Sequence, residues 1–535
     1  MAAQRPARTG PASIATWRGA PVRARRVRRV VAPLAAATLL LLALSPSVTT
    51  AAIVTATWQA RLGTSGTNGS ATIRAYWGGT GSLALALARL PAGDTLAVTL
   101  SKGTCAATGS VLIVFPAIRT TSAGSASRTS GLTAGQVSIV RSATSGTGRI
   151  ALRVGRSCGA FPANPFPSPT LATVGPLEVV FNWSVDRCED LDIPDLPARA
   201  FRDAQGNVQL IAAHYINRRF VGSSLNAVKH DCAVIMASAG DPNPAAFSYH
   251  QWIASPYTTD GQTIYALVHD EYYGSYPDGG SCQWTCWYNA ITLAVSTDGG
   301  ASYHAAATPP ANLVASSPRQ YEAGAGPYGF FNPSNIIRGP DGYYYAYLHE
   351  FWYRHPSTDQ GVCLIRTPDL ADASAWRAWD GTGFSVAFVN PYLHPAEALA
   401  APTCRLIPQE PLGLINDSIT FNTYLRRYVM VGTTWVVVDG LNTWSIAYSF
   451  SDDLVHWSAR RQLVDIGDSR HVLYASLIDP NSPSRDFETT GQFAYLYTTR
   501  FNQSGNYLDR DLIRIPVEFF PTAAAASAAR VPFTP

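Results

Sequence analysis

AVSTDGGASY, residues 294–303, follows an apolar run and reads Ser-x-Asp-x-Gly-x-x-aromatic. A Ser and an Asp two residues apart suit a turn whose backbone amides they can bind, and Gly299-Gly300 permit positive φ. A calcium loop is the rival reading, but the spacing and terminal Glu of an EF-hand are missing. The stretch is therefore expected to shape a turn between strands and to take no part in chemistry. Its value is that it marks the kind of scaffold it sits in.

That scaffold repeats itself. Five times an apolar strand meets a turn and returns as a second apolar strand, over residues 198–215, 252–273, 331–352, 417–435 and 474–500. Outer strands such as ITLAVSTDGG and WSIAYSFSDDLVHW lie between them. A repeat of about fifty to eighty residues fits four-stranded blades with insertions, so residues 177–520 are expected to form a five-bladed β-propeller. A large sandwich of similar strand count is the alternative. Residues 53–160 are rich in Gly, Ser, Thr and Ala; SLALALARL, TLAVTL, SVLIVF and RIALRV read as short strands separated by turns, which predicts a β-sandwich. Asp94 is its one acidic residue and it has no histidine, so an accessory role is expected. The fold class is thus all-β, with an N-terminal β-sandwich followed by the propeller. Residues 161–176 read as a Pro-rich linker and residues 521–535 as a disordered tail.

The full chain of 535 residues carries a formal charge of +4, but eight arginines precede Arg61 and no acid does. Arginines, an apolar run over residues 30–44 and small residues after it form the pattern of a secretory signal over residues 1–52. An uncleaved signal anchor is the alternative. Removing those eight charges leaves −4, so the basicity gives no reason to expect nucleic acid as a partner. A secreted monomer without membrane attachment is expected. Eight cysteines in such a chain suggest disulfides; sequence alone leaves their connectivity open, and the pairing taken with the domain split is Cys105 with Cys158, Cys188 with Cys232, Cys282 with Cys286, and Cys363 with Cys404. Zinc at Cys282-x-x-x-Cys286 would need a second ligand pair, and none follows. No cofactor motif is found; a structural calcium stays open.

In a propeller the innermost strands converge, and polar residues recur at their ends. Asp195 precedes the first hairpin. His269, Asp270 and Glu271 close the second, Asn332, Ser334 and Asn335 open the third, and His349-Glu350 close it. Asn416-Asp417 open the fourth; Tyr474 and Ser476 open the fifth. Acids, amides and aromatics in one funnel suit a sugar, whose ring faces stack on aromatics while its hydroxyls take hydrogen bonds. Hydrolysis of a glycosidic bond needs two carboxyl groups, one donating a proton and one acting as base or nucleophile.

The turn at 296–303 resembles the Asp-box of sialidases and other propellers. Ser451 to Trp457 resembles the SxDLxxW stretch of arabinanase- and invertase-like propellers, and residues 53–160 weakly resemble chordin-repeat-like sandwich modules. Residues 190–520 resemble glycoside hydrolase family 43 and its invertase-like relatives. That resemblance implies that Asp195, in Pro194-Asp195-Leu196-Pro197, is the base or nucleophile and that an auxiliary Asp opens a middle blade, for which Asp417 is the candidate. It implies a Glu as acid: Glu271 first, then Glu350 and Glu410. The chain departs from the family pattern in having Gln409-Glu410-Pro411 where the family has Glu-Gly-Pro. His269, Asn332, Asn335, His349 and Tyr474 are the expected substrate-binding residues. The function expected is a secreted glycoside hydrolase acting on a plant or microbial polysaccharide. A sialidase-type hydrolase, needing an arginine cluster, and a non-catalytic carbohydrate-binding propeller are the alternatives.

Overall fold

The computed structural model describes residues 54–64, 67–76, 80–144, 148–161, 169–274, 282–351, 360–407, 412–438, 441–464, 472–502 and 504–532. The signal expected over residues 1–52 and Glu410 lie outside them. Among the described residues no helix is long and apolar enough to cross a membrane.

The first eight strands form one antiparallel sheet in the order Thr108–Arg119, Thr95–Gly103, Ile150–Val154, Ser157–Phe161, Val54–Thr64, Thr67–Tyr76, Gly81–Ala88, Ala126–Leu132. The sandwich takes the form of this single sheet folded over one core. Its two edges approach: Arg128 Nη1 donates to Ala117 O at 3.0 Å. Alternation explains the core. Leu83, Leu85 and Leu87 point in, as do Ile73, Leu100, Leu152 and Phe161. A helix, Ala134–Ala143, was not expected from the sequence. Thr133 and Gln136 form a capping box at its start, and Val137 and Val140 complete the core. Gly81 makes room for it, because a Cβ there would lie 2.8 Å from Val137 Cγ2.

The rest of the chain is a β-propeller arrangement of sheets that run outward in sequence order. Arg199–Arg202, Val208–Ile211, Ile216–Gly222 and Lys229–Ala237 make a four-stranded meander. An 11-stranded sheet holds two further meanders, one led by His250–Tyr257 and Ile264–Tyr273, the other containing Tyr344–Phe351 and Gln360–Thr367. A short parallel pairing of Tyr288 and Asn289 with Tyr328 and Gly329 joins them. Ser418–Asn422, Arg427–Val438, Leu441–Ser451 and Arg461–Val464 follow. The last sheet closes the ring, since Arg510–Phe520 pairs with Phe493–Phe501 on one side and with Glu178–Phe181 and Thr170–Thr173 on the other.

Two expectations are corrected here. The stretch read as a linker contains the strand Thr170–Thr173, which pairs with Arg510–Phe520 and buries Leu171. The tail read as disordered contains the helix Ala523–Ala529, capped by Thr522, with Ala526 packed near Ala172 and Phe520. Beyond it Val531 N donates to Thr173 O at 2.9 Å. Alanine-rich low complexity hid a good helix former. The four disulfides join the expected partners, with Cα–Cα distances of 5.4–5.9 Å. Cys282 and Cys286 are thus paired with each other, which removes them as thiolate ligands.

Arg199 shows where the meanders meet. Its guanidinium donates to Ala254 O at 3.0 Å, Pro333 O at 3.3 Å, Asp417 O at 2.5 Å and Ser476 Oγ at 3.4 Å. One buried side chain therefore ties together strand starts far apart in sequence. Burial lowers its pKa to about 9, opposed by the nearby Asp417 carboxylate. It plugs the axis and fixes the strand ends around it.

Candidate active site

Asp195 sits in the turn ahead of Arg199–Arg202, held by buried Ile193 and Leu196 and by Thr499 Oγ1, which donates to Pro194 O at 3.1 Å. Its carboxylate pairs with the Arg510 guanidinium. It also accepts from the Tyr474 hydroxyl at 3.3 Å and faces His214 Nε2 at 3.7 Å.

Glu271 comes to the same place from the strand Ile264–Tyr273. Successive side chains of a strand alternate faces, so His269, Glu271 and Tyr273 share one. His269 Nε2 lies 3.6 Å from Glu271 Oε1. The Glu271 side chain is 12% exposed, and burial, followed by the negative charge of Asp195, pushes its pKa up to about 8, while hydrogen bonds from Tyr273 and Trp287 oppose the rise. Glu271 is therefore a protonated acid at neutral pH beside a second carboxyl group.

His269 is fixed from both sides. Asn332 N donates to its Nδ1 at 3.4 Å, and its Nε2 lies near Glu271 and 2.8 Å from the Asn289 amide nitrogen. Burial lowers its pKa to about 3, so the ring is neutral. Asn416 Nδ2 in turn donates to Asn332 O at 2.9 Å. Asn332 holds this position at φ +37° and Tyr474 at φ +64°, left-handed backbone that non-glycine residues adopt at a cost of about 1–3 kcal/mol and that clusters at functional sites.

Asp417 braces Tyr474. Its Oδ2 accepts from Thr433 N at 2.8 Å, Thr433 Oγ1 at 3.0 Å and Ala475 N at 3.2 Å. Thr433 Oγ1 accepts from Tyr474 N at 3.1 Å. Burial raises the Asp417 pKa to about 6 against these bonds and the charge of Arg199. Asp195, Glu271, Asp417, His269, Asn332 and Tyr474 thus lie in one neighbourhood.

The wall beside it is aromatic. Tyr215 stacks on His250 with ring centroids 4.1 Å apart, Tyr273 stacks on Trp287 at 5.6 Å, and Trp252 sits edge-on to His214 at 5.4 Å. Tyr273 is 38% exposed and Tyr507 71% exposed. Tyr507 lies under the Arg510 guanidinium at 4.2 Å.

Three expected residues stand elsewhere. Glu350 is adjacent to His349 in its strand, so its carboxyl takes the opposite face, where it borders a cleft with Phe330, Val386 and Phe388. Asn335 is spent on the backbone: Nδ2 donates to Ile419 O and Oδ1 accepts from Ile419 N, both at 2.8 Å, which staples two strands together. His349 faces Phe331 and Phe351, with burial lowering its pKa to about 3, and is a packed ring near the cluster. The arginines near the first meander make no carboxylate clamp. Arg199 is on the axis, Arg218 pairs with Glu189 at 2.6 Å, and Arg219 faces Asp231 at 3.5 Å. The sequence reading missed Arg510, His214 and Thr433. Arg510 and Thr433 had no local signal, because each acts on a residue of a distant segment. His214 could have been found from its place at the end of the first hairpin, matching His269 in the second.

The turn at 296–303 has the hydrogen bonding anticipated for it. Ser296 Oγ donates to Asp298 Oδ1 at 2.7 Å and accepts from Gly300 N at 2.9 Å; Asp298 also accepts from Ser302 N at 2.9 Å. Burial works against the Asp298 carboxylate, yet bonds from Ser302 and Ser296 hold it down at about 2. Tyr303 is buried beneath. Gly300 is required, since φ is +89° and a Cβ would meet Phe201 Cζ at 2.7 Å.

No protein-family model matches the chain, and no curated protein sequence resembles it. Among solved structures it is similar to a sucrose-6-phosphate hydrolase from Lactobacillus gasseri, at 11% identity and a TM-score of 0.35 over 68% of this chain and 64% of that one, less than two thirds of its length. It is also similar to an endo-arabinase from Bacteroides thetaiotaomicron (10% identity, TM-score 0.35, 61% of this chain and 96% of that one). A GH43_1 enzyme from Xanthomonas citri complexed with xylose is a third (14% identity, TM-score 0.34, 61% and 88%). At these scores the likenesses transfer neither substrate nor mechanism.

Proposed function

We propose that this protein is a secreted glycoside hydrolase of the five-bladed propeller kind, acting on a plant or microbial polysaccharide, with residues 53–160 as an attachment module. The observation that carries the reading is that Asp195 lies near enough to Glu271 for its charge to help raise the Glu271 pKa. One carboxylate is paired with a guanidinium, and the other carboxyl is held protonated by burial and by its neighbour. Cleavage of a glycosidic bond uses two carboxyl groups, one as acid and one as base or nucleophile. Glu271 donates its proton to the leaving oxygen. Asp195 activates water or attacks the anomeric carbon, its orientation set by Tyr474 and Arg510. Asp417 holds the backbone that carries Tyr474. Tyr273 and Tyr507 offer ring faces to sugars. Both arginines nearest the cluster, Arg199 and Arg510, are committed to protein groups, which favours a neutral sugar over the acidic substrate of a sialidase.

The test is reducing-sugar release by the purified protein on arabinans, xylans, fructans, galactans and sialosides, alongside Asp195→Asn. Release by the wild type, lost in the variant, is expected. Release kept in the variant would overturn the site. Silence of both, with saturable glycan binding, would make the protein a carbohydrate-binding propeller.

A further inference from the structure

We propose that residues 53–160 form a docking surface for an acidic polysaccharide, a chain of carboxylate-bearing sugars, engaged by a rim of arginines at the end of the sheet that lies away from the propeller. The inference rests on the attachment role proposed above and not on the hydrolase chemistry. Charge is divided unevenly along the chain. Residues 53–160 hold nine arginines, Lys102 and a single acid, Asp94, a net +9 with no histidine, whereas residues 161–535 hold 22 basic and 35 acidic residues, a net −13. Such asymmetry within one chain points to an anionic partner for the basic part. The cations are free to meet one. Arg61, Arg89, Arg119, Arg128 and Arg156 are exposed. Among the described residues, Arg141 alone of the module's cations pairs with a carboxylate, that of Asp452 in the propeller at 2.7 Å.

Strand pairing gathers them at one end. Thr95 lies opposite Arg119, Val98 opposite Val154, and Asn68 opposite Ala88. Arg119 closes its strand at that end, Arg156 occupies the turn after Val154, and Arg89 follows Ala88. Arg61 and Arg128 lie three and two residues in from it. Asp94 shares this end and offsets one of the five. The helix Ala134–Ala143 joins Leu132 to Ile150 at the opposite end and carries Arg141 to Asp452. Phe161, where the chain leaves for the propeller, pairs with Ile150 there too. The arginine rim is therefore the outward end.

The chemistry of that end selects the partner. Arginine suits carboxylates, which its planar fork binds two bonds at a time. Nucleic acid asks for aromatic platforms or an element that enters a groove. Here Trp58, Phe115 and Phe161 are buried, Tyr76 is half-buried, and the helix lies at the other end. A membrane surface asks for apolar side chains beside the cations. The exposed Val111 and Val114 lie back along the strand Thr108–Arg119, and the exposed Ile139 is on the far helix. A polymer of acidic sugars asks only for spaced guanidinium groups, and those are present.

The experiment is calorimetric titration of the full protein with polygalacturonate, with neutral galactan, duplex DNA and phosphatidylglycerol vesicles in parallel. The variants are Arg89→Gln/Arg119→Gln/Arg156→Gln at the rim and Lys102→Gln/Arg149→Gln at the other end, all at exposed positions. Saturable polygalacturonate binding is expected, lost as salt rises from about 0.05 to 0.5 M. The rim variant should weaken it about tenfold, as three exposed ion pairs imply, and the other variant far less. If the rim variant does not fold, Arg156→Gln alone decides, with a loss of about twofold expected. Equal binding of galactan, salt-independent binding, equal loss in both variants or no saturation at low salt overturns the proposal. So does tighter binding of DNA or of the vesicles, which would reassign the rim to that partner. Binding is read whether or not a glycan is cleaved, so failure here and failure of the hydrolase reading are separate results.

Discussion

Two strands of this molecule invite comparison. Ile264–Tyr273 and Tyr344–Phe351 are each the returning strand of a hairpin, and each ends in a histidine followed by acid: His269-Asp270-Glu271 and His349-Glu350. His269 is near enough to help lower the pKa of His349, after burial and against a bond to Gln360. The acids part company. Glu271 is two residues beyond its histidine and shares its face, which brings it to Asp195. Glu350 is one residue beyond and turns away, to the position Asp270 holds in the first strand. Asp270 Oδ2 accepts there from Thr292 Oγ1 at 2.5 Å. Two glutamates with the same raised pKa therefore differ in what they face, and parity along the strand makes the difference.

The largest effect should come from breaking the catalytic side of that comparison. Glu271→Gln should lower kcat by about 10²–10⁴ on unactivated glycans, the usual worth of a general acid, and much less on aryl glycosides whose leaving group needs no proton. The wild-type rate should fall as pH rises through about 8, because only the protonated acid can donate. A rate independent of this carboxyl in the pH profile would remove Glu271 from its role.

Next is the other glutamate. The Glu350 carboxyl titrates at about 8 folded against an ordinary 4.5. Its contribution to stability is whole below about pH 4.5 and is lost as pH rises through about 8. Glu350→Gln should therefore gain on the order of 4 kcal/mol over the wild type at pH 8.5, relative to their difference at pH 4.5, in denaturant melts. A pH-independent difference would mean that the carboxyl is partnered.

Tyr474→Phe should cost about tenfold in kcat, the loss of one hydrogen bond to a charged group, with little change in stability. An unchanged kcat would free Asp195 from this contact. The smallest effect belongs to the outer turn. Asp298→Ala should lower stability by about 1 kcal/mol and leave kcat alone, because its bonds serve its own turn, to Ser296, Ala301 and Ser302.

Much of this fold was legible because its signals are local. Alternation in SLALALARL, the Ser-Asp-Gly turn at 296–303 and the five hairpins each depend on residues close in sequence, and the cysteine pairs fell within the segments so divided. The helix Ala134–Ala143 was missed because only Val137 and Val140 mark its buried face. The strand Thr170–Thr173 was missed because prolines surround it and its partner lies more than 300 residues away.

The candidate site divides along the same line. The sequence by itself determined the residue types: acids, amides and aromatics at strand ends, and Asp195 and Glu271 as the leading pair. Tertiary structure decided which of them meet. Arg510 reaches Asp195 only because the last strand closes the ring beside the first, and Asp417 reaches Tyr474 through Thr433 of a neighbouring strand. Glu350 and Asn335 looked equal to their neighbours until strand parity sent one to a side cleft and strand pairing claimed the other. Local chemistry is written along the chain, whereas a site made of five strand ends exists only once the ring has closed.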